Sequence, residues 1–279
     1  MTWHQVTDTT SSERPDFPPE RLAKRQPTFQ FPKTLLLPAL KFFARSKDRG
    51  WLPGTPLKRH IVICGFPRSG TTLLQLLLES CTQNLGTCGR ERRALEVAAA
   101  GKRSHSVILT KRPKDLFLIP EIASWHAANG TQALFILMHR DPRAVLTSRH
   151  FSSPQHYYLN CRDWQHFYLH WKWSGNRSDV LSVSYEALTS SPAAVQHQIN
   201  RFANLDAACR FEDFLSRVPP NFDLRALNGL RQTETTRINS WKSQEHQQRL
   251  TQIFSELPEL PKILDEMGYS ETPQQNFAA

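Results

Sequence analysis

The fold is decided by one stretch of the chain, which reads Ile61-Val62-Ile63-Cys64-Gly65-Phe66-Pro67-Arg68-Ser69-Gly70-Thr71-Thr72-Leu73. Its first four residues are apolar and largely β-branched, which is typical of a strand buried on both faces of a parallel sheet. Two glycines, Gly65 and Gly70, bound a loop, and the leucine-rich residues 71–81 predict a helix after it. Strand, loop and helix in this order predict a phosphate-binding loop, in which backbone N–H groups and the helix N-terminus hold an anion.

The loop departs from that of nucleoside triphosphatases at one position. Those enzymes have a lysine that reaches the β and γ phosphates, and this chain has Thr71 in its place. Because threonine cannot neutralise the outer charge of a triphosphate, hydrolysis of ATP or GTP is disfavoured. Arg68 lies earlier in the loop, where its fork of N–H donors could hold an anionic group through two bonds.

The same alternation of strand and helix recurs along the rest of the chain. Strands are predicted at residues 107–109, 133–138 and 180–183, with helices at about 115–128 and from about residue 142. Residues 240–268 predict a helical C-terminal segment with breaks at its two prolines. We therefore expect a single-domain α/β protein with a P-loop-like, three-layer α/β/α architecture around a central parallel sheet.

Residues 1–57 differ from the rest, since they hold eight of the 19 prolines and show no clean periodicity. We predict an irregular arm that wraps the core or covers a substrate cleft, or for the first twenty or so residues a disordered tail. Residues 58–279 then form one domain, because a chain of 279 residues is long enough for one full α/β core and too short for two.

Composition limits the partners and the compartment. Lys and Arg exceed Asp and Glu by 35 to 25, a net charge of +10 that favours an anionic partner. No basic run or aromatic platform indicates nucleic acid. Five widely spaced cysteines argue against a disulfide framework or a thiolate metal site. The N-terminus lacks signal-peptide order and residues 34–44 are too short to span a membrane, so we expect a soluble, reduced, cytoplasmic protein without metal.

The loop resembles the 5′-phosphosulfate loop of sulfotransferases that use 3′-phosphoadenosine 5′-phosphosulfate (PAPS). Its Pro-Arg-Ser-Gly-Thr-Thr variant, at residues 67–72, is similar to that of tyrosylprotein sulfotransferases and related bacterial enzymes. The resemblance extends from about residue 61 to 269. It implies that PAPS is the cosubstrate, that 3′-phosphoadenosine 5′-phosphate (PAP) is the product, and that the 5′ end is held by Arg68, Ser69, Gly70, Thr71, Thr72 and Leu73.

A second block, residues 135–148, looks like the 3′-phosphate element of the same family. The resemblance implies that Arg140 and Ser148 grip the 3′-phosphate, with Arg140 at a strand's carboxyl end, where open α/β sheets bind ligands, and Ser148 about two turns into the next helix. Weaker blocks imply that Tyr185 lines the adenine pocket. They place Arg237, Trp241 and Lys242 in a basic element that closes over the nucleotide.

Sulfuryl transfer needs positioning, charge stabilisation and a base for the acceptor proton. Arg68 is the first candidate for the cation at the leaving oxygen, and Lys111 is the second. Cytosolic sulfotransferases have a catalytic histidine two residues after this lysine, where this chain has Pro113. By resemblance to the tyrosylprotein enzymes, Glu91 is the candidate base. An alternative is that Glu91 only balances its arginine neighbours, and the fallback bases are His126 and His139.

Two other functions remain open from the sequence. The chain could be a nucleotide kinase or NTPase with an atypical loop, or a catalytically inactive homologue that binds nucleotide. The acceptor, with its hydroxyl or amine, is an unidentified small molecule, saccharide or peptide.

Overall fold

The computed structural model describes residues 13–19, 22, 42, 46, 54–100, 104–150, 153–227 and 229–270. The arm predicted for residues 1–57 therefore lies largely outside the described residues. Its described part contacts the domain: Arg14 donates to Glu121 at 2.8 Å, and Leu22 is buried in the core.

Seven strands and nine α-helices are present in the described part of the chain. The strands are β1 (Arg59–Gly65), β2 (Leu85–Gly86), β3 (Val107–Lys111), β4 (Gln132–His139), β5 (Arg149–His150), β6 (Ser153–Tyr157) and β7 (Val180–Ser184). The helices are α1 (Thr71–Cys81), α2 (Ala94–Ala99), α3 (Ile119–Ala128), α4 (Pro142–Leu146), α5 (Cys161–Ser174), α6 (Tyr185–Ser190), α7 (Pro192–Ala203), α8 (Gln247–Glu256) and α9 (Leu260–Glu266).

The main sheet has five strands in the order β2-β3-β1-β4-β7, and every pairing in it is parallel. Strand β1 is central and lies between β3 and β4, so the chain moves to one side of β1 and then to the other. In open α/β sheets, this reversal places the ligand crevice at the carboxyl end of the central strand. Here that end is Gly65, where the phosphate loop (residues 65–70) begins.

Two hydrophobic cores cover the two faces of the sheet. Along β1, Ile61 and Ile63 belong to one core, together with leucines of α1 and residues of α7. Val62 and Cys64 belong to the other core, together with Trp164 and Phe167 of α5 and residues of α8 and α9. This alternation is that of a strand buried on both faces. The predicted three-layer α/β/α class is confirmed.

The predicted elements match the structure with two differences. Helix α1 covers residues 71–81 as expected, but the helix predicted at 115–128 begins as a 3-10 helix, Pro113–Leu118, before α3. The helix from Pro142 ends at Leu146, so Ser148 lies beyond it and the prediction of two helical turns is wrong. Just beyond the helix, Ser148 O accepts from Tyr158 N at 2.8 Å, beside the pairing of β5 with β6.

The C-terminal segment is helical in pieces. Short 3-10 helices, Ser240–Lys242 and Gln244–His246, precede α8. Pro261 lies in the first turn of α9 rather than breaking a helix, which suits a residue that has no N–H to donate. Among the described residues, no helix combines the length and the apolar character needed to cross a bilayer.

Candidate functional site

The phosphate loop is held against the end of β4 by close backbone contact. Phe66 N donates to Met138 O at 2.9 Å, and Gly65 adopts φ of 125°. A Cβ atom at Gly65 would lie 2.2 Å from Met138 O, so only glycine fits between the two strands. Ser69 is fully buried, and its hydroxyl lies 2.6 Å from Phe66 O. Its side chain therefore braces the loop.

Helix α1 begins at the loop with its N-terminus open. Gly70, at its N-cap, has φ of 87°, and no side chain caps the helix there. The first N–H groups of a helix have no acceptor within the helix, so they point outward as donors for an anion. A Cβ atom at Gly70 would lie 2.6 Å from the ring of Tyr185, which brings that predicted residue to the loop.

Arg68 is held in an unusual backbone conformation. Its φ is 66°, in the left-handed region that non-glycine residues rarely adopt. Its Nε donates to Ser148 Oγ at 2.9 Å, so the structure joins Ser148 to Arg68 rather than to Arg140. Burial lowers the pKa of Arg68, and the nearby charges of Arg140 and Arg237 act in the same direction. Because arginine stays protonated in proteins, this is a cluster of repelling cations that an anion would relieve.

Arg140 follows the carboxyl end of β4 and is almost fully buried. Its Nη1 lies 3.4 Å from Arg68 O, its Nη2 donates to Arg237 O, and its guanidinium stacks 4.3 Å from the centre of the Tyr185 ring. Its Nε is buried and has no hydrogen-bond partner within the described part of the chain. A buried charged donor without an acceptor is costly, so this site is suited to a ligand that supplies an oxygen.

A cavity joins these groups, and we call it the arginine cavity. One wall is the phosphate loop with the first turn of α1, and the other is residues 229–237, here named the capping segment. Its lining includes eight predicted cofactor-binding residues: Arg68, Gly70, Thr71, Thr72, Leu73, Arg140, Tyr185 and Arg237. It also includes Arg231 and Glu234, so four arginines face one carboxylate.

Two predicted residues of the C-terminal element lie outside this lining. The ring of Trp241 packs against Arg143, whose guanidinium carbon is 3.9 Å from the ring centre, and Lys242 lies on the same ring at 5.3 Å. Arg143 is itself held by Asp141 at 2.7 Å. In this structure Trp241 therefore joins the C-terminal segment to α4 and does not form a wall of the cavity.

Lys111 and Glu91 form an ion pair at the same edge of the sheet. Lys111 ends β3 beside Ile63 of β1, and its Nζ donates to Glu91 Oε2 at 3.1 Å. The lysine side chain is 6% exposed and the glutamate 51%, so the carboxylate lies at the surface above a buried cation. The segment before Glu91 is attached to helix α1, because Gly89 N donates to the carboxylate of Glu79 in that helix at 3.3 Å.

Tyr158 lies near both the Glu91 carboxylate and the Arg68 side chain. Burial raises the pKa of its phenol, the charge of Glu91 adds to the rise, and Arg68 opposes it. The Arg68 guanidinium is 5.9 Å from the ring centre. Tyr158, Arg231 and Glu234 are site residues that the sequence did not indicate, because each stands in a segment without motif or periodicity.

The two fallback bases are placed elsewhere. His126 is buried in a chain of polar side chains, 3.0 Å from His60 and 2.7 Å from Thr131. His139 contacts the hydroxyl of Tyr269 at 3.1 Å, and burial lowers its pKa to about 4. Neither histidine lines the arginine cavity. In the described ranges, no group of three or more His, Cys, Asp or Glu side chains is arranged to hold a metal ion.

No protein-family model and no curated protein matches this chain. Among solved structures, the sulfotransferase domain from the Synechococcus PCC 7002 olefin synthase is 16% identical, covers 73% of this chain and 97% of its own, and has a TM-score of 0.46. Mouse sulfotransferase SULT7A1, complexed with PAP, is 11% identical over 78% of this chain and 90% of its own, at a TM-score of 0.43. Sulfotransferase STF9 from Mycobacterium avium is 12% identical over 81% of each chain, at 0.42.

Proposed function

We propose that this chain is a sulfotransferase that moves a sulfuryl group from PAPS to a hydroxyl or amine of its acceptor. One observation carries the proposal: the arginine cavity combines a phosphate loop with four arginines, while position 71 has a threonine that leaves a triphosphate's outer charge unmet. PAPS has anionic groups at both the 5′ and the 3′ position of one nucleoside. Such a ligand suits cations spread over two walls better than a linear triphosphate does.

The residues divide between the two ends of the nucleotide. The N–H groups at the start of α1, with Thr71, Thr72 and Arg68, bind the 5′-phosphosulfate. Arg140 binds the 3′-phosphate, since its buried Nε needs an acceptor oxygen. Arg231 and Arg237 reach over it from the capping segment, and Tyr185 lines the nucleoside. Ser148 holds the Arg68 side chain through its bond to Nε.

The reaction is an in-line displacement at sulfur. The acceptor oxygen or nitrogen forms a bond to sulfur as the bond from sulfur to the phosphate oxygen breaks, which leaves PAP. Arg68 and Lys111 stabilise the negative charge that develops on this oxygen. Glu91 takes the acceptor proton. Lys111 donates to Oε2 of Glu91. Because the Glu91 side chain is exposed, its carboxylate can contact an acceptor at the surface.

The test is transfer from radiolabelled PAPS to a panel of phenols, saccharides and tyrosine-containing peptides. We expect Arg68→Ala to lower turnover at least about 100-fold, the usual effect of losing one donor that stabilises developing charge. Arg210→Ala is the matched control, because Arg210 is exposed, pairs with Asp213 and lies outside the cavity lining. Normal turnover by Arg68→Ala would refute its role. If the protein binds PAP but transfers to no acceptor, the result would favour a catalytically inactive homologue. Mg²⁺-dependent turnover of ATP would favour an NTPase.

A further inference from the structure

Two thiols lie against each other at the far end of helix α1. Cys81 is the last residue of that helix, and Cys209 lies between α7 and the 3-10 helix Phe211–Arg217. Their Sγ atoms are 2.7 Å apart, although 128 residues separate them in the sequence. Both are free thiols in this structure. A spacing this wide forms no motif, so the pair is visible only in the folded chain.

The approach of the two cysteines is fixed by the main chain and not by the sulfur atoms. Ala208 N donates to Cys81 O at 2.8 Å, and Gln83 N donates to Asp206 O at 2.9 Å. Between these two bonds, Thr82 and Ala207 form an antiparallel bridge. Because the two Sγ atoms are already 2.7 Å apart and a disulfide bond is about 2.0 Å long, the bond would need little movement of the chain.

We propose that Cys81 and Cys209 are a reversible disulfide site that is oxidised by a small disulfide such as oxidised glutathione. The Cys209 thiolate attacks one sulfur of glutathione disulfide, which forms a mixed disulfide and releases one glutathione thiolate. The Cys81 thiolate then attacks Cys209 Sγ, forms the internal disulfide and releases the second glutathione. The two protein thiols lose two electrons and two protons, and one glutathione disulfide becomes two glutathione thiols.

The order of attack follows from exposure. Cys81 is fully buried and Cys209 is only half-buried, so a glutathione molecule reaches Cys209 first. Burial raises the pKa of the Cys81 thiol, and the contact with Cys209 adds to the rise while Arg217 opposes it. Cys81 therefore stays protonated while the pair is reduced, which suits the resolving residue rather than the attacking one.

The test is thiol counting and peptide mapping of the full chain after equilibration with oxidised glutathione. We expect the free thiols to fall from five to three. Trypsin should release residues 69–90 cross-linked to residues 202–210. Because the first peptide contains both Cys81 and Cys88, the Cys88→Ser variant is the matched control and should give the same cross-link. Oxidation should raise Tm by roughly 5–10 °C, since the bond closes a long loop of the unfolded chain.

Cys209→Ser should lose both the cross-link and the rise in Tm. Cys209 is half-buried, so this variant is expected to fold, and the mapping of the unaltered protein needs no variant at all. Five titratable thiols after oxidation, a stable mixed disulfide on Cys209, or a bond between two chains would each overturn the proposal. Since none of these measurements uses PAPS or an acceptor, their outcome is independent of the proposed sulfotransferase activity.

Discussion

The backbone of Arg68 adopts a left-handed conformation that costs free energy. A non-glycine residue in the left-handed region costs about 1–2 kcal/mol, and an asparagine or glycine would fit there more easily. This conformation places the Arg68 guanidinium beside Ser148 and against the Tyr158 ring, close to the N-terminus of helix α1. Strained residues cluster at functional sites, and this one lies in the loop where the anion is expected.

Gly65→Ala tests how tightly the loop is held to β4. The new Cβ would overlap the backbone oxygen of Met138, which cannot move without parting two central strands. We expect the free energy of unfolding to fall by more than about 3 kcal/mol, measured by urea denaturation. Gly130→Ala is the matched control, because Gly130 also has a positive φ but no atom within 4 Å of the new methyl group.

The control should lose only about 1 kcal/mol, the cost of the left-handed backbone alone. Similar losses for the two variants would show that the contact between the loop and β4 is loose. That result would also weaken the description of the arginine cavity as a preformed site, because the loop forms one of its walls.

At this scale the sequence indicated one set of site residues and missed another. Arg68, Arg140, Tyr185 and Arg237 were predicted because each stands at a motif position or at a strand end. Arg231 was not, since it reaches the cavity only through the path of the capping segment, a polar stretch without periodicity. Ser148 was predicted to act beside Arg140, but the path of the chain after α4 brings its hydroxyl within hydrogen-bond distance of Arg68 instead.

Local sequence defines some elements and long-range contacts define others. The bounds of helix α1 were predictable, because a glycine begins it and its leucines recur at helical spacing. The end of α4 was not, because the residues just beyond it contact a later part of the chain, where Tyr158 N donates to Ser148 O. Pairing between β5 and β6, and between Cys81 and Cys209, has no local signal at all.

The end of β4 is tied to the C-terminal segment through a buried histidine, which predicts acid sensitivity. Tyr269 donates its hydroxyl proton to Glu186 at 2.9 Å, so His139 Nδ1 is the donor to the Tyr269 oxygen. Burial lowers the pKa of His139 to about 4, against about 6.5 in an unfolded chain. The unfolded state then binds more protons between these values, and stability falls as pH drops from about 6.5 to about 4.

We expect this one histidine to account for a loss of about 3 kcal/mol over that range, measured as urea midpoints in the protein and in His139→Gln. Glutamine keeps a hydrogen-bonding group but does not titrate, so the urea midpoint of His139→Gln should change less with pH than that of the unaltered protein. His197→Gln, on the exposed face of α7, should follow the unaltered protein. The pKa of Asp115, raised to about 6 by burial, acts in the opposite sense, but it is common to all three proteins and cancels in the comparison. Parallel curves for His139→Gln and the unaltered protein would contradict the assignment.

At the scale of the molecule, the sequence indicated the three-layer class and the crevice but not the order of the strands. Alternating strands and helices predict a parallel sheet, and the loop after β1 predicts where an anion binds. The central position of β1 and the closure of the crevice by the capping segment, about 160 residues after the loop, depend on packing of the whole chain.

The central claim is that the arginine cavity recognises a nucleotide that is anionic at both its 5′ and its 3′ position. The most direct measurement is calorimetric titration of the protein with PAP and with AMP, which differ only by the 3′-phosphate. We expect PAP to bind at least about tenfold more tightly, because the extra phosphate gains charge-assisted hydrogen bonds from Arg140. The Arg140→Gln variant should lose that difference, and Arg210→Ala should keep it. Equal Kd values for PAP and AMP in the unaltered protein would contradict the claim.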